Sequence, residues 1–240
     1  SNNLKSPWFF YIHLFDLHTP IILPKEFEDS KFGNNSYEKM MSAINKRAFD
    51  STEILTWSFR QKHHYIWKKQ EGLVIVSWDD ISITLNLNDH SKSIGSSPEL
   101  IQTALDFFNN DSFWLVAPYK VFDEGVERSI VNYNNNDALL IKYTSGGSTP
   151  GDSYLWILDS TYVPTSFKMW TQIIPIGGVS GTWNDLITAD SGIKLPTTHT
   201  LSLFGMKIDM GEVKAYNPNA DKLAQTILKP KTTETKIRTP

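Results

Sequence analysis

Cysteine is absent from this chain of 240 residues. Disulfides, thiolate nucleophiles and cysteine-based metal sites are excluded with it. A membrane-crossing helix needs roughly 20 apolar residues in a row, and no such run occurs. The most apolar stretch, residues 8–17 (WFFYIHLFDL), is short, holds His13 and Asp16, and is followed by Pro20 and Pro24. It reads as an extended segment packed on its own domain, a membrane-proximal anchor, or a contact with a partner. Excess charge is also missing: a net charge of −3 is too small to point to nucleic acid or an anionic membrane surface. Residues 145–148 (SGGS) lack the GK[ST] ending and the following helix of a phosphate-binding loop, so they read as a flexible hairpin loop. The chain opens Ser-Asn-Asn without an initiator Met. An N-terminus that is either processed or trimmed is the corresponding expectation, and a cleaved signal or a lipidated residue upstream of residue 1 is compatible with both.

Aromatic residues are plentiful: eight Trp, nine Tyr and thirteen Phe. They favour strands and bring large apolar area with a polar handle, which suits curved sheets and cavity walls. Tyr37, Met40, Met41, Ile44 and Ala48 fall at helical spacing, which predicts a helix over 37–49 started by Asn35 or Ser36. From Glu53 the period becomes two. ILTWSF (54–59), HHYIW (63–67), LVIVSW (73–78) and ISITLNL (81–87) predict an antiparallel meander with one wetted side. Pro98 opens a second predicted helix, reaching about Asn109. Further strands are expected at 128–133, 138–144, 153–158, 165–174, 182–188 and 198–207. Residues 143–178 form a hairpin between glycine corners, with Trp156 and Trp170 on its arms. The fold class is therefore α+β. About ten antiparallel strands make a strongly curved sheet, an unclosed β-barrel, with two or three helices covering the concave side.

Four segments carry a resemblance: WSFRQKHHYIW (57–67), NNDSFWLVAPYKVFDEGVER (109–128), TSGGSTPGDSYLWILD (144–159) and PTSFKMWTQIIPIGG (164–178). In these the chain resembles a family of uncharacterised envelope proteins of Bacteroidota-type bacteria. Those proteins look like the outer-membrane lipoprotein carrier and sorting (LolA/LolB-like) fold. The resemblance implies a half-barrel with a hydrophobic cavity in the cell envelope, periplasmic or at the outer membrane. Residues 36–214 would be that single domain, 1–35 an extended N-terminal arm and 215–240 a polar tail. A second likeness lies at 8–20, where Asp16, His18 and Pro20 match a D-x-H-T-P segment of sulfatases. The Cys- or Ser-x-Pro-x-Arg motif and an upstream Asp-Asp pair are absent, so no sulfatase activity follows from it.

No catalytic residue, cofactor or metal is assigned. His63 and His64 are strand neighbours that point to opposite faces, one to water and one inward, and cannot chelate one ion. Asp79-Asp80 is a turn, and Asp50, Asp111, Asp123 and Asp152 each fall beside a turn or cap. Asp123 is expected to pair with Arg128. The ligand cavity is expected to be walled by Met40, Met41, Trp57, Phe59, Trp67, Trp78, Trp114, Leu115, Trp156 and Trp170. The function that follows is non-enzymatic: binding of an acyl chain, lipid or lipoprotein, with no nucleic-acid partner. The alternative is an accessory or scaffold subunit of an outer-membrane complex, its partners ordering residues 1–35 and 215–240.

Overall fold

The computed structural model describes residues 35–145, 151–171 and 177–218. The N-terminal arm up to residue 34, the sulfatase-like segment, most of the 145–152 loop and the tail beyond residue 218 lie outside the described residues. The expected domain comprises two compact units. One holds the described parts of residues 1–43, 117–184 and 199–207; the other holds those of 44–116, 185–198 and 208–240.

The α+β class and the antiparallel, unclosed sheets are as expected, with the main strands distributed over two five-stranded sheets. In the second unit, β1 (Ile54–Phe59), β2 (His63–Lys68), β3 (Leu73–Trp78) and β4 (Ile81–Asn86) follow the predicted meander. A C-terminal strand, Lys214–Tyr216, pairs with β1 at Thr56, Leu55 and Ile54. The polar tail therefore starts later than residue 215: Ala215 is buried and β1 supplies the ladder partners that its backbone needs. Leu55, Trp57, Tyr65, Trp67, Val74, Val76, Ile83 and Leu85 share one buried face, while His64, Ile66, Ser82 and Thr84 share the more open one.

The buried face is covered by helix α3, Pro98–Val116. It runs about two turns beyond the predicted end at Asn109, so residues 110–116 are helix as well. The first predicted helix is instead two, α1 (Asn35–Ala43) and α2 (Lys46–Ser51). Asn45 lies between them at φ 63, its side chain capping Ala48 N and donating to Gly192 O. Asparagine takes this left-handed conformation readily, which breaks a stripe whose apolar spacing is continuous.

In the first unit the sheet runs β5 (Val126–Tyr133), β6 (Asn136–Tyr143), β7 (Ser153–Leu158), β8 (Pro164–Trp170), β9 (Val179–Thr182). Asn134 and Asn135, at φ 53 and 63, make the turn between β5 and β6, the geometry that matches strand twist in tight hairpins. Both faces of the centre are buried, so β6 and β7 read as near-continuous apolar runs. Leu139, Ile141, Tyr154, Trp156 and Phe167 line one face. Val131, Ala138, Leu140, Leu155 and Trp170 form a cluster on the other. Gly181 has no room for a side chain, since an added Cβ would stand 2.4 Å from Phe167 Cζ and 3.0 Å from Leu201 Cδ2. The expected long strands at 182–188 and 198–207 are short pieces: β10 (Ile187–Thr188), paired with an unexpected β11 (Lys194–Leu195), and β12 (Thr198–Thr200) and β13 (Lys207–Asp209). Asp123 pairs with Lys120 at 2.8 Å, whereas Arg128 donates to the carbonyls of Val121 and Val126, both at 3.0 Å. The turn between them is tight enough for the guanidinium to serve the backbone. No helix among the described residues is long and apolar enough to cross a membrane.

Candidate functional site

The space between α3 and the second unit's sheet is filled mainly by rings. Positions 104, 108, 111 and 115 recur at helical spacing on one side of α3, and all four are buried. Phe108 meets three strand aromatics: Trp57 at 6.3 Å, Tyr65 at 6.4 Å and Trp67 at 5.4 Å between centroids. Trp57 stacks on Tyr65 at 4.5 Å. Phe107 stacks on His63 at 3.9 Å and meets Trp78 edge-on at 5.4 Å. This aromatic wall owes its position to period two on β1 and β2, which turns 55, 57, 65 and 67 to the same side.

One ionisable group stands within the wall. Asp111 is 1% exposed. Its Oδ2 accepts from Tyr65 OH at 2.5 Å and lies 2.7 Å from His63 Nδ1, while Oδ1 accepts from Asn110 Nδ2 at 2.7 Å. A carboxylate oxygen accepts, so in this contact His63 Nδ1 is the donor. A carboxylate-oriented imidazole is half of a general-base dyad. Among the described residues no hydroxyl is hydrogen-bonded to His63, and Asp111 is committed to three donors. As it stands, the cluster fastens α3 to β2. His63 turns inward to it and His64 outward to solvent, as strand alternation requires. Asp111 lies inside α3, not beside a turn or cap as expected. Its signal was present: an acid on the apolar stripe of a helix, opposite a strand that shows His and Tyr on one side.

Of the expected cavity residues, Trp57, Trp67 and Leu115 are buried in this wall, and Phe59, Trp78 and Trp114 are half-buried in the same unit. Met40, Met41, Trp156 and Trp170 belong to the other unit and are buried there. Trp156 and Trp170 face opposite sides of their sheet. A separate open groove of about 480 Å³ is lined by Ser51, Glu53, Ile54, Lys68, Gln70, Glu71 and Pro218, none of them an expected cavity residue. No cluster of three or more His, Asp or Glu able to hold a metal occurs among the described residues.

Two polar atoms of the wall are unusual. Trp57 and Trp67 are 3% and 8% exposed, and neither indole N–H has a hydrogen-bond partner among the described residues. Trp57 lies opposite Tyr65 and Trp67 opposite Leu55, so the two tryptophans are diagonal neighbours on one face.

Burial pushes four tyrosines above their ordinary value of 10.0. Tyr65 is raised by desolvation and then by the Asp111 charge, Tyr37 by desolvation, and Tyr143 and Tyr154 by desolvation and then by nearby carboxylates, Asp123 first for Tyr143 and Asp152 for Tyr154. The folded state holds these protons more tightly than the unfolded chain does. Their contribution to stability is therefore full below pH 10 and is lost as pH rises above it. Each group is expected to remove up to about 1.4 kcal/mol per pH unit there. Urea unfolding between about pH 9 and about pH 11, read beside tyrosinate absorbance, checks this; a flat stability across that range refutes it.

No protein-family model matches the chain, and no curated protein matches it. Among solved structures the chain is similar to a "putative outer membrane lipoprotein-sorting protein domain" from Vibrio parahaemolyticus, at 11% identity over 82% of this chain and 100% of that one, with a TM-score of 0.40. It is also similar to a DUF1329 family protein from Desulfovibrio piger ATCC 29098, at 10% identity over 78% of this chain and 95% of that one, again with a TM-score of 0.40.

Proposed function

We propose that this chain is a non-enzymatic cell-envelope protein that binds an acyl chain, of a lipid or a lipoprotein, against the aromatic wall beneath α3. The observation that carries the reading is the pair of buried indole N–H groups on Trp57 and Trp67, which meet no acceptor among the described residues. An unpaired buried donor costs about 1–3 kcal/mol. An ester or amide carbonyl at the head of an acyl chain supplies the missing acceptor. The chain itself contributes about 0.8 kcal/mol for each CH₂ withdrawn from water, so no charged anchor is needed. The envelope setting is supported by the sequence resemblance of segments 57–67 and 109–128, which contain β2's histidines and most of the second half of α3.

The test is native mass spectrometry of delipidated protein titrated with fatty acids and a diacylated lipopeptide. One-to-one uptake is expected. Replacing both indoles (Trp57→Phe with Trp67→Phe) is expected to weaken binding about tenfold while leaving the rings' apolar area largely in place. Failure of the unaltered protein to take up any acylated ligand overturns the proposal.

A further inference from the structure

The hairpin between β12 and β13 ends in an apolar tip that its own unit leaves uncovered. Phe204 is 95% exposed, and Met206 beside it is exposed as well. A single exposed hydrophobic residue is ordinary, but here two large apolar side chains are left in water together at one turn. The backbone makes the tip unavoidable. Phe204 and Gly205 both adopt left-handed conformations, at φ 57 and 61, and nothing lies within 4 Å of where a Cβ on Gly205 would stand.

The base, in contrast, is held. Leu201 N donates to Met206 O at 2.9 Å and Met206 N to Leu203 O at 3.3 Å, closing the turn. Ser202 N donates to Ser180 O at 2.8 Å, and Ser180 N donates back to Ser202 Oγ at 3.0 Å. Leu201 bridges to Gly181 on β9 and is buried. The tip is thus a rigidly presented projection on the first unit's sheet.

We infer that residues 203–207 form a finger that inserts Phe204 and Met206 into a lipid bilayer. This goes beyond the acyl-chain reading and does not depend on it. Three observations select a bilayer over a protein partner. The apolar area is that of one ring and its neighbours, a few hundred Å² at most, against about 1,200–2,000 Å² for a stable protein interface. The shape is convex, which a fluid phase accommodates without a matching pocket. The tip itself carries a single charge, a cation: Lys207 is exposed next to Met206, residues 198–206 (THTLSLFGM) contain no acid, and Asp209, two residues further along β13, accepts from Gln61 Nε2 and Gly211 N. A lysine there meets phosphate headgroups as the ring enters the acyl boundary. One finger gives weak, reversible attachment, short of an anchor.

Flotation of the full chain with phosphatidylcholine vesicles, and with vesicles containing phosphatidylglycerol, tests the assignment. The chain is expected to float with both, more strongly with the anionic ones. Phe204→Asn is expected to reduce flotation at least tenfold with no change in melting temperature, since asparagine accepts the left-handed turn. Phe204→Trp is expected to keep flotation, with its emission shifted to the blue and quenched by brominated lipid. Absence of flotation by the unaltered chain, or equal flotation of Phe204→Asn, overturns the inference. So does a concentration-dependent dimer that Phe204→Asn abolishes, which would make a second copy the occupant.

Discussion

Replacing Asp111 with alanine is expected to destabilise the protein by about 3 kcal/mol. The loss is large because several groups depend on one carboxylate. Tyr65 OH would be left buried with nothing to accept its proton, His63 Nδ1 would lose its partner, and a gap would open beside Phe108 in the packed layer under α3. Asp111→Asn keeps an acceptor oxygen and is expected to cost about half as much. Tyr65→Phe removes the donor together with its need, so in the Asp111→Ala background it should cost little. The coupling in a double-mutant cycle is expected at about 1–2 kcal/mol. Urea unfolding followed by tryptophan fluorescence reads all four states. A cost below about 0.5 kcal/mol for Asp111→Ala would show that the carboxylate is not a fastening. The dyad geometry with His63 would then deserve a search for chemistry.

The second large effect is expected at Trp156. It is almost wholly buried, meets Phe167 at 5.3 Å and Trp183 edge-on at 4.9 Å, and lies opposite Leu139 and Phe167 in the ladder. Trp156→Ala removes a ring that these neighbours cannot replace by moving, because Gly181 already lets Phe167 and Leu201 approach as closely as backbone permits. About 4 kcal/mol of destabilisation is expected, and about 1–2 kcal/mol for Trp156→Phe. The size of the loss decides between two roles. A core ring gives the full figure; a ring that lines a ligand-filled space gives under about 1 kcal/mol in ligand-free protein, with the remainder appearing only when the ligand is bound.

The four-stranded meander was readable because ILTWSF, HHYIW, LVIVSW and ISITLNL alternate cleanly, and alternation follows directly from a sheet with one covered face. The helix ends were not. Asn109, Asn110, Asp111 and Ser112 are poor helix formers and read as a stop, yet α3 continues through them because Asp111 is held to β2 from across the sheet. Local propensity cannot report a bond made to residues that far away in the chain. Asn45 shows the converse. The apolar stripe around it is unbroken, and only the backbone preference of one residue splits the helix. The ten expected cavity residues were chosen for size and apolarity, properties shared by every core. Burial was therefore legible, whereas their division between two units was not. The two indoles that meet no acceptor among the described residues were equally invisible, since an unmet hydrogen bond is a property of three-dimensional surroundings.

The strand Lys214–Tyr216 has a consequence for how the chain comes into being. Its partner is β1, the first strand among the described residues, and the whole first-unit sheet is encoded between the two. A chain that emerges from its N-terminus therefore carries β1 with one open edge throughout synthesis, and through any passage across a membrane. The last few described residues seal it. Until they arrive that edge can pair with any other strand, including its own counterpart in a neighbouring nascent chain. Holding the second unit unsealed while the first is completed is the task this topology sets for whatever escorts the chain.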